Sequence, residues 1–150
     1  MSENSDLIKL YSGQILALAA EIPLTDRLDE PQATVKRRSP LCGSTITVDI
    51  TMADDRVTGF GQDVKACALG QAAASVVGAA VIGRTAKEVR TAQTQLKAML
   101  KSDGPAPDAP FDGLKVLLPA KEFKNRHASI MLAIDATVEA MEQVSHANCA

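Results

Sequence analysis

Apolar residues recur at Leu7, Leu10, Tyr11, Ile15, Leu18 and Ala19, the period of an amphipathic helix that Asn4 or Ser5 can cap and Pro23 ends. A polar, proline-punctuated stretch follows from Glu21 to Pro31. Ala33 to Arg38 then begins to alternate as a short strand, until Ser39-Pro40-Leu41-Cys42-Gly43 breaks it into a loop. From Ser44 to Met52 the alternation is strict, with Thr45, Thr47, Asp49 and Thr51 against Ile46, Val48, Ile50 and Met52, the pattern of a half-buried antiparallel strand. Asp54-Asp55 supplies turn chemistry, and Arg56 to Lys65 returns as its partner with Gly59 and Gly61 inside it.

Beyond Lys65 the period changes. Leu69, Ala72, Ala73, Val76, Val77, Ala80 and Val81 predict a helix over about 67–82, with Gly83 as its C′ residue. Thr85 and Glu88 have capping-box spacing and open a helix over 86–101, with Val89, Ala92, Leu96, Met99 and Leu100 on one face. Asp103 to Pro110 reads as a solvated loop, Phe111 to Leu118 as a short apolar cluster, and Ile130, Ile134, Val138 and Met141 mark a last helix over 128–145. One helix, a three-strand meander and then helices predict an α+β fold in which helices cover one face of a small antiparallel sheet. No repeat, low-complexity tract or linker divides the chain, so residues 1–150 are expected to form a single domain.

Composition narrows the function. A chain of 150 residues can bury roughly 70% of its unfolded surface, so it folds without disulfides or a structural metal. Sixteen Lys and Arg stand against 18 Asp and Glu, with only four aromatic residues, which offers nucleic acid neither a basic field nor stacking platforms. The start MSENSDLIKL lacks a signal-peptide pattern, and no apolar run approaches the roughly 20 residues of a membrane span. A cytoplasmic location is expected, where thiols stay reduced and the three cysteines are candidate ligands, catalytic groups or bystanders.

The hairpin arithmetic brings two of them together. Pairing about a turn centred between Asp54 and Asp55 opposes residues whose numbers sum to 109, and Cys42 and Cys67 meet that sum. A bulge at Gly59 or Gly61 would shift the register by one, so proximity is expected and not direct opposition. Cys67 also stands where strand gives way to helix, where unpaired N–H groups and the helix dipole favour a thiolate. Cys42 sits between a proline and a glycine, in a loop suited to present sulfur outward. The alternative for either is a small buried hydrophobe. Cys149, next to the end, reads as a bystander. No Ser/His/Asp order, phosphate loop or catalytic carboxylate pair supports an independent enzyme.

Ser39-Pro40-Leu41-Cys42-Gly43-Ser44 resembles Asn-Pro-x-Cys-Gly-Asp, and Cys67-Ala68-Leu69-Gly70-Gln71-Ala72-Ala73-Ala74-Ser75 resembles a cysteine opening an Ala/Ser-rich helix. Both motifs belong to the iron–sulfur cluster assembly scaffold family of IscU, the NifU N-terminal domain and SufU. The likeness extends to Leu10-Tyr11, to Glu30-Pro31-Gln32-Ala33-Thr34-Val35 and to Gly83-Arg84-Thr85, covering roughly residues 7–142. The family's Arg-x-x-Cys-x-x-Leu-Ala corresponds to Arg126-His127-Ala128-Ser129-Ile130-Met131-Leu132-Ala133, so its third cysteine is Ser129 here, and its motif aspartate is Ser44.

The resemblance implies a SufE/NifU-like fold and a scaffold that holds iron or a [2Fe-2S] cluster and passes it to apo acceptor proteins, with sulfur supplied by a cysteine desulfurase. Cys42, Cys67 and Ser129 are the implied cluster-facing residues. Ser129 is a poor substitute for a thiolate and is expected to serve as the N-cap of the last helix. His127 would complete a mixed metal set with Cys42 and Cys67, which could also take zinc. Lys121 and Arg126 could set positive charge near an anionic cargo. A homodimer giving Cys42 and Cys67 twice would supply four thiolates. The competing reading is a SufE-like persulfide relay on one cysteine, and a third is a degenerate interaction module.

Overall fold

The computed structural model describes residues 13–40 and 43–149. The predicted helix start before Gly13, with Leu7, Leu10 and Tyr11, lies outside them. Residues 13–20 are helical (α1), followed by β1 (Ala33–Arg38), β2 (Thr45–Ala53), β3 (Arg56–Lys65), α2 (Ala68–Ala80), α3 (Ala86–Lys101) and α4 (His127–Cys149). The three strands form an antiparallel meander in the order β1-β2-β3. This is the α+β arrangement that the alternation predicts.

The β2–β3 turn is built by Asp54 (φ 52°) and Asp55 (φ 65°), both left-handed, as a tight hairpin whose twist matches its strands requires. Pairing starts at a sum of 109, with Ala53 opposite Arg56 and Met52 opposite Val57, then shifts to 110 from Thr51 opposite Gly59 onward. The extra residue is Thr58, so a bulge does move the register, one position before the glycine expected to carry it.

Gly59 and Gly61 have a different use. A Cβ on Gly61 would stand 2.4 Å from the Asp26 carbonyl oxygen, and one on Gly59 would lie 3.6 Å from Leu28 Cδ1. The polar stretch after α1 is therefore a strap laid across the sheet where β3 lacks side chains. Asp49, on the alternating polar face of β2, is consequently not solvated but completely buried. Its carboxylate accepts from Arg27 Nε (2.5 Å) and Nη2 (3.0 Å), Leu28 N (3.1 Å) and Thr34 Oγ1 (2.7 Å). Burial pushes this carboxyl up, but the bonds from Arg27, Thr34 and Leu28 outweigh it and hold it below the usual carboxylate range.

The opposite face of the sheet carries the core. Val35, Ile46, Val48, Ile50 and Phe60 are buried there, and α4 packs across β1 and β2 with α2 and α3 against its other sides. Every residue of α4 from Ser129 to Ile134 is buried, as an enclosed helix requires. All of the Phe111–Leu118 cluster but its N-cap residue Phe111 lies in a 3₁₀ segment, Asp112–Glu122, that buries Leu114, Leu117 and Ala120 at intervals of three, the period of that helix. Thr85 and Glu88 form the predicted capping box, and Gly83 takes a left-handed φ of 85° just beyond α2.

Candidate functional site

Cys67 is the N-cap residue of α2, reached directly from the end of β3. Its backbone is extended (φ −66°, ψ 169°) and its carbonyl accepts the first helical bond from Gln71 N at 2.9 Å. The sulfur is partly buried, 3.4 Å from Ser129 Oγ, and Ser129 Oγ donates to Ser44 Oγ at 3.0 Å. Ser129 is fully buried and Ser44 nearly so. Three chain segments, separated by 23 and 62 positions, thus meet at one thiol and two hydroxyls.

Each segment is held locally. Ser44 ends a closed loop in which Ser39 N donates to the Ser44 carbonyl at 2.7 Å and Gly43 N to the Ser39 carbonyl at 3.1 Å. Gly43 has φ 70°, a conformation that glycine adopts without strain. Ser129 is drawn against α2 because position 70 has no side chain: a Cβ there would stand 2.5 Å from Ser129 Oγ.

Charge at the sulfur follows from these neighbours. Burial pushes the Cys67 thiol up. Hydrogen bonding by Ser129, the amides of Gly70 and Leu69 at the mouth of α2, and the positive charge of Arg126 outweigh it, so the thiol ionises below its ordinary range. As a thiol, Cys67 can donate to Ser129 while Ser129 donates to Ser44. On ionisation, rotation of one hydroxyl turns Ser129 into a donor to sulfur.

The N-cap expectation for Ser129 is corrected. The last helix starts at His127, three residues earlier than that reading needs, so Ser129 lies inside its first turn with its hydroxyl turned to Cys67 and Ser44. The buried His127 ring is bonded instead through Nε2 to the Lys121 carbonyl at 2.9 Å. A carbonyl only accepts, so Nε2 carries the proton and only Nδ1 remains available as a metal donor. Among the described residues no group of three His, Cys, Asp or Glu side chains is placed to hold a metal ion. Lys121 pairs with Asp103, whereas Arg126 acts on Cys67 as its sequence position suggests. Cys42 lies outside the described residues, as does the side chain of Cys149.

A solved structure of a nitrogen-fixing NifU-like protein (N-terminal) from Brucella abortus is 44% identical, covers 88% of this chain and 92% of its own, and superposes with a TM-score of 0.86. The chain belongs to the NifU/IscU/SufU-type scaffold family. The fold recurs in a candidate iron–sulfur cluster assembly scaffold for the SUF system from Fervidobacterium islandicum, at 16% identity, 85% and 93% coverage and a TM-score of 0.74. It also recurs in a hypothetical protein at 20% identity, 89% and 98% coverage and a TM-score of 0.81. No family model matches the chain, and no curated protein does. Among the described residues no helix is long and apolar enough to cross a membrane.

Family membership gives the convergence at Cys67 its meaning. Ser44 and Ser129, two of the positions at which this chain differs from the motifs it resembles, are hydrogen-bonded to each other. Two residues 85 positions apart in the sequence therefore line one place in the fold. Gly70, which permits the contact, carries no sequence signal beyond its place in a small-residue helix.

Proposed function

We propose that this family member works as an iron–sulfur cluster assembly scaffold that takes iron and sulfide as cargo on Cys67 and Cys42 and passes them to apo acceptor proteins. The observation that supports it most is the Cys67–Ser129–Ser44 convergence: one partly exposed, ionisation-prone thiol meets the loop whose next cysteine is two residues from Ser44. Thiolates are the ligands that iron–sulfur clusters take, while the hydroxyls are harder and far less acidic. Ser129 and Ser44 therefore serve as hydrogen-bond donors to cargo sulfur, not as its ligands. Four thiolates for a [2Fe-2S] unit then come from two protomers, each giving Cys42 and Cys67. A cysteine desulfurase is the sulfur source this reading requires.

A persulfide relay is the second reading, favoured by the thiol's depressed ionisation beside the Ser129 hydroxyl and the helix-mouth amides. A donor persulfide would pass its outer sulfur to the Cys67 thiolate and leave as a thiolate. Anaerobic reconstitution with iron and sulfide separates the two, read by absorption and metal analysis on wild type, Cys42→Ala, Cys67→Ala and Cys149→Ala. Scaffolding predicts loss in the first two variants and no change in the third, with the cluster in a dimer by native mass spectrometry. Retention by Cys67→Ala overturns it, and added sulfur on Cys67 without any cluster supports the relay.

A further inference from the structure

A second feature lies away from this contact: a cleft of about 1020 Å³ between α3 and α4, lined by neither Cys67, Ser129 nor Ser44. Buried Leu100 and Met131 contribute its apolar lining. Lys97 and Lys101, one turn apart on α3, and Lys124, from the turn before α4, line it as well, and all three are exposed. No ion pair among the described residues uses any of them. The one carboxylate in the lining, Asp135, accepts from Gln93 Nε2 at 2.7 Å and forms no ion pair with these lysines. A chain with net charge −2 therefore keeps three lysines without ion pairs, against one carboxylate, around one cleft of mixed lining.

We infer that this cleft docks an acidic peptide segment of a partner protein, its carboxylates paired with Lys97, Lys101 and Lys124 and an apolar side chain set against Leu100 and Met131. The lysines are exposed and spread over two walls, so they do not converge on a single small anion. Among the described residues no Phe, Tyr or Trp lines the cleft, and the one ring there, His127, is buried and bonded to the Lys121 carbonyl, a poor platform for stacking nucleic-acid bases. The volume of the cleft and its mixed lining suit a chain that alternates charge and apolar bulk. His127 and Ala128 line the cleft and directly precede Ser129, so the docked segment reaches the first turn of α4, where Cys67 meets Ser129. The inference holds whatever Cys67 carries.

Fluorescence anisotropy of the full chain with a short labelled peptide of glutamates, aspartates and two leucines tests this. Saturable binding is expected, weakened about tenfold or more by Lys97→Glu with Lys101→Glu, less by Lys124→Glu, and unchanged by Lys115→Glu on the 3₁₀ segment. Replacing the peptide's leucines by serine also weakens binding. The pair Lys97→Gln and Lys101→Gln gives a smaller loss in the same direction and guards against misfolding of the charge reversal. Three results overturn the inference: binding indifferent to the α3 lysines, an equal loss with Lys115→Glu, or tighter lysine-dependent binding of an oligonucleotide or inorganic phosphate.

Discussion

Replacing Gly70 by alanine sets helix propensity against packing, and the structure decides the sign. Alanine in place of glycine within a helix is worth at most about 1 kcal/mol, and less in a first turn. The added Cβ would lie 2.5 Å from Ser129 Oγ, 2.9 Å from Ala66 Cβ and 3.1 Å from the Ser129 carbonyl oxygen. Ordinary contact begins at about 3.5 Å, so α2 and α4 must separate or the serine must turn away. Separation costs about 1–3 kcal/mol as overpacking. Rotation strips a fully buried hydroxyl of its bonds to Cys67 and Ser44, again about 1–3 kcal/mol. We therefore expect Gly70→Ala to be destabilised by roughly 1–2 kcal/mol net in urea unfolding. In the same variant the pH midpoint of Cys67 alkylation, followed by peptide mass, moves upward because sulfur loses a donor. A variant stabilised by the propensity gain, with an unchanged alkylation midpoint, would refute the close approach of Gly70 to Ser129.

Three further perturbations test neighbouring parts of the account. Ser129→Ala removes one hydrogen bond that favours the Cys67 thiolate, so alkylation at neutral pH slows and its midpoint rises; an unchanged profile would mean that the helix mouth and Arg126 act alone. Asp49→Asn keeps the shape under the strap but loses the charge, and is expected to cost about 1.5–3 kcal/mol at neutral pH by urea unfolding. Asp49's folded-state ionisation lies below its unfolded value of 3.8, so its stabilisation is full above that pH and fades as pH falls through the lowered value. The gap between wild type and Asp49→Asn should therefore close in strong acid, and a gap that persists there would contradict the assignment. Gly61→Ala meets the Asp26 carbonyl oxygen and should lift the strap at a cost of about 1–3 kcal/mol, seen as faster amide exchange at Gln62, whose N–H donates to Leu24.

The strands and the main helices were legible because burial is one-sided where the periods are clean: Ile46, Val48 and Ile50 face helices, and Val89, Ala92 and Leu96 face the core. The burial of Asp49 was not legible for the same reason. Alternation reports which face a residue takes but not what covers that face, and the cover here is a strap without periodicity of its own. The 3₁₀ segment was hidden by its period of three, which Leu114, Leu117 and Ala120 show once sought. At the site, Cys67 and its helix-mouth environment were readable because they depend on local order. The partnership of Ser44 with Ser129 depends on a contact across 85 positions that no spacing rule encodes.

The central claim is that cargo is held at Cys67 on the side where Ser129 and Ser44 meet. Iron and acid-labile sulfide retained per chain after anaerobic reconstitution and desalting, compared among wild type, Cys67→Ala and Ser129→Cys, test it most directly. The account predicts near-complete loss in Cys67→Ala and greater retention in Ser129→Cys, which adds a thiol where the hydroxyl now lies 3.4 Å from the Cys67 sulfur. Equal retention in all three proteins would contradict it.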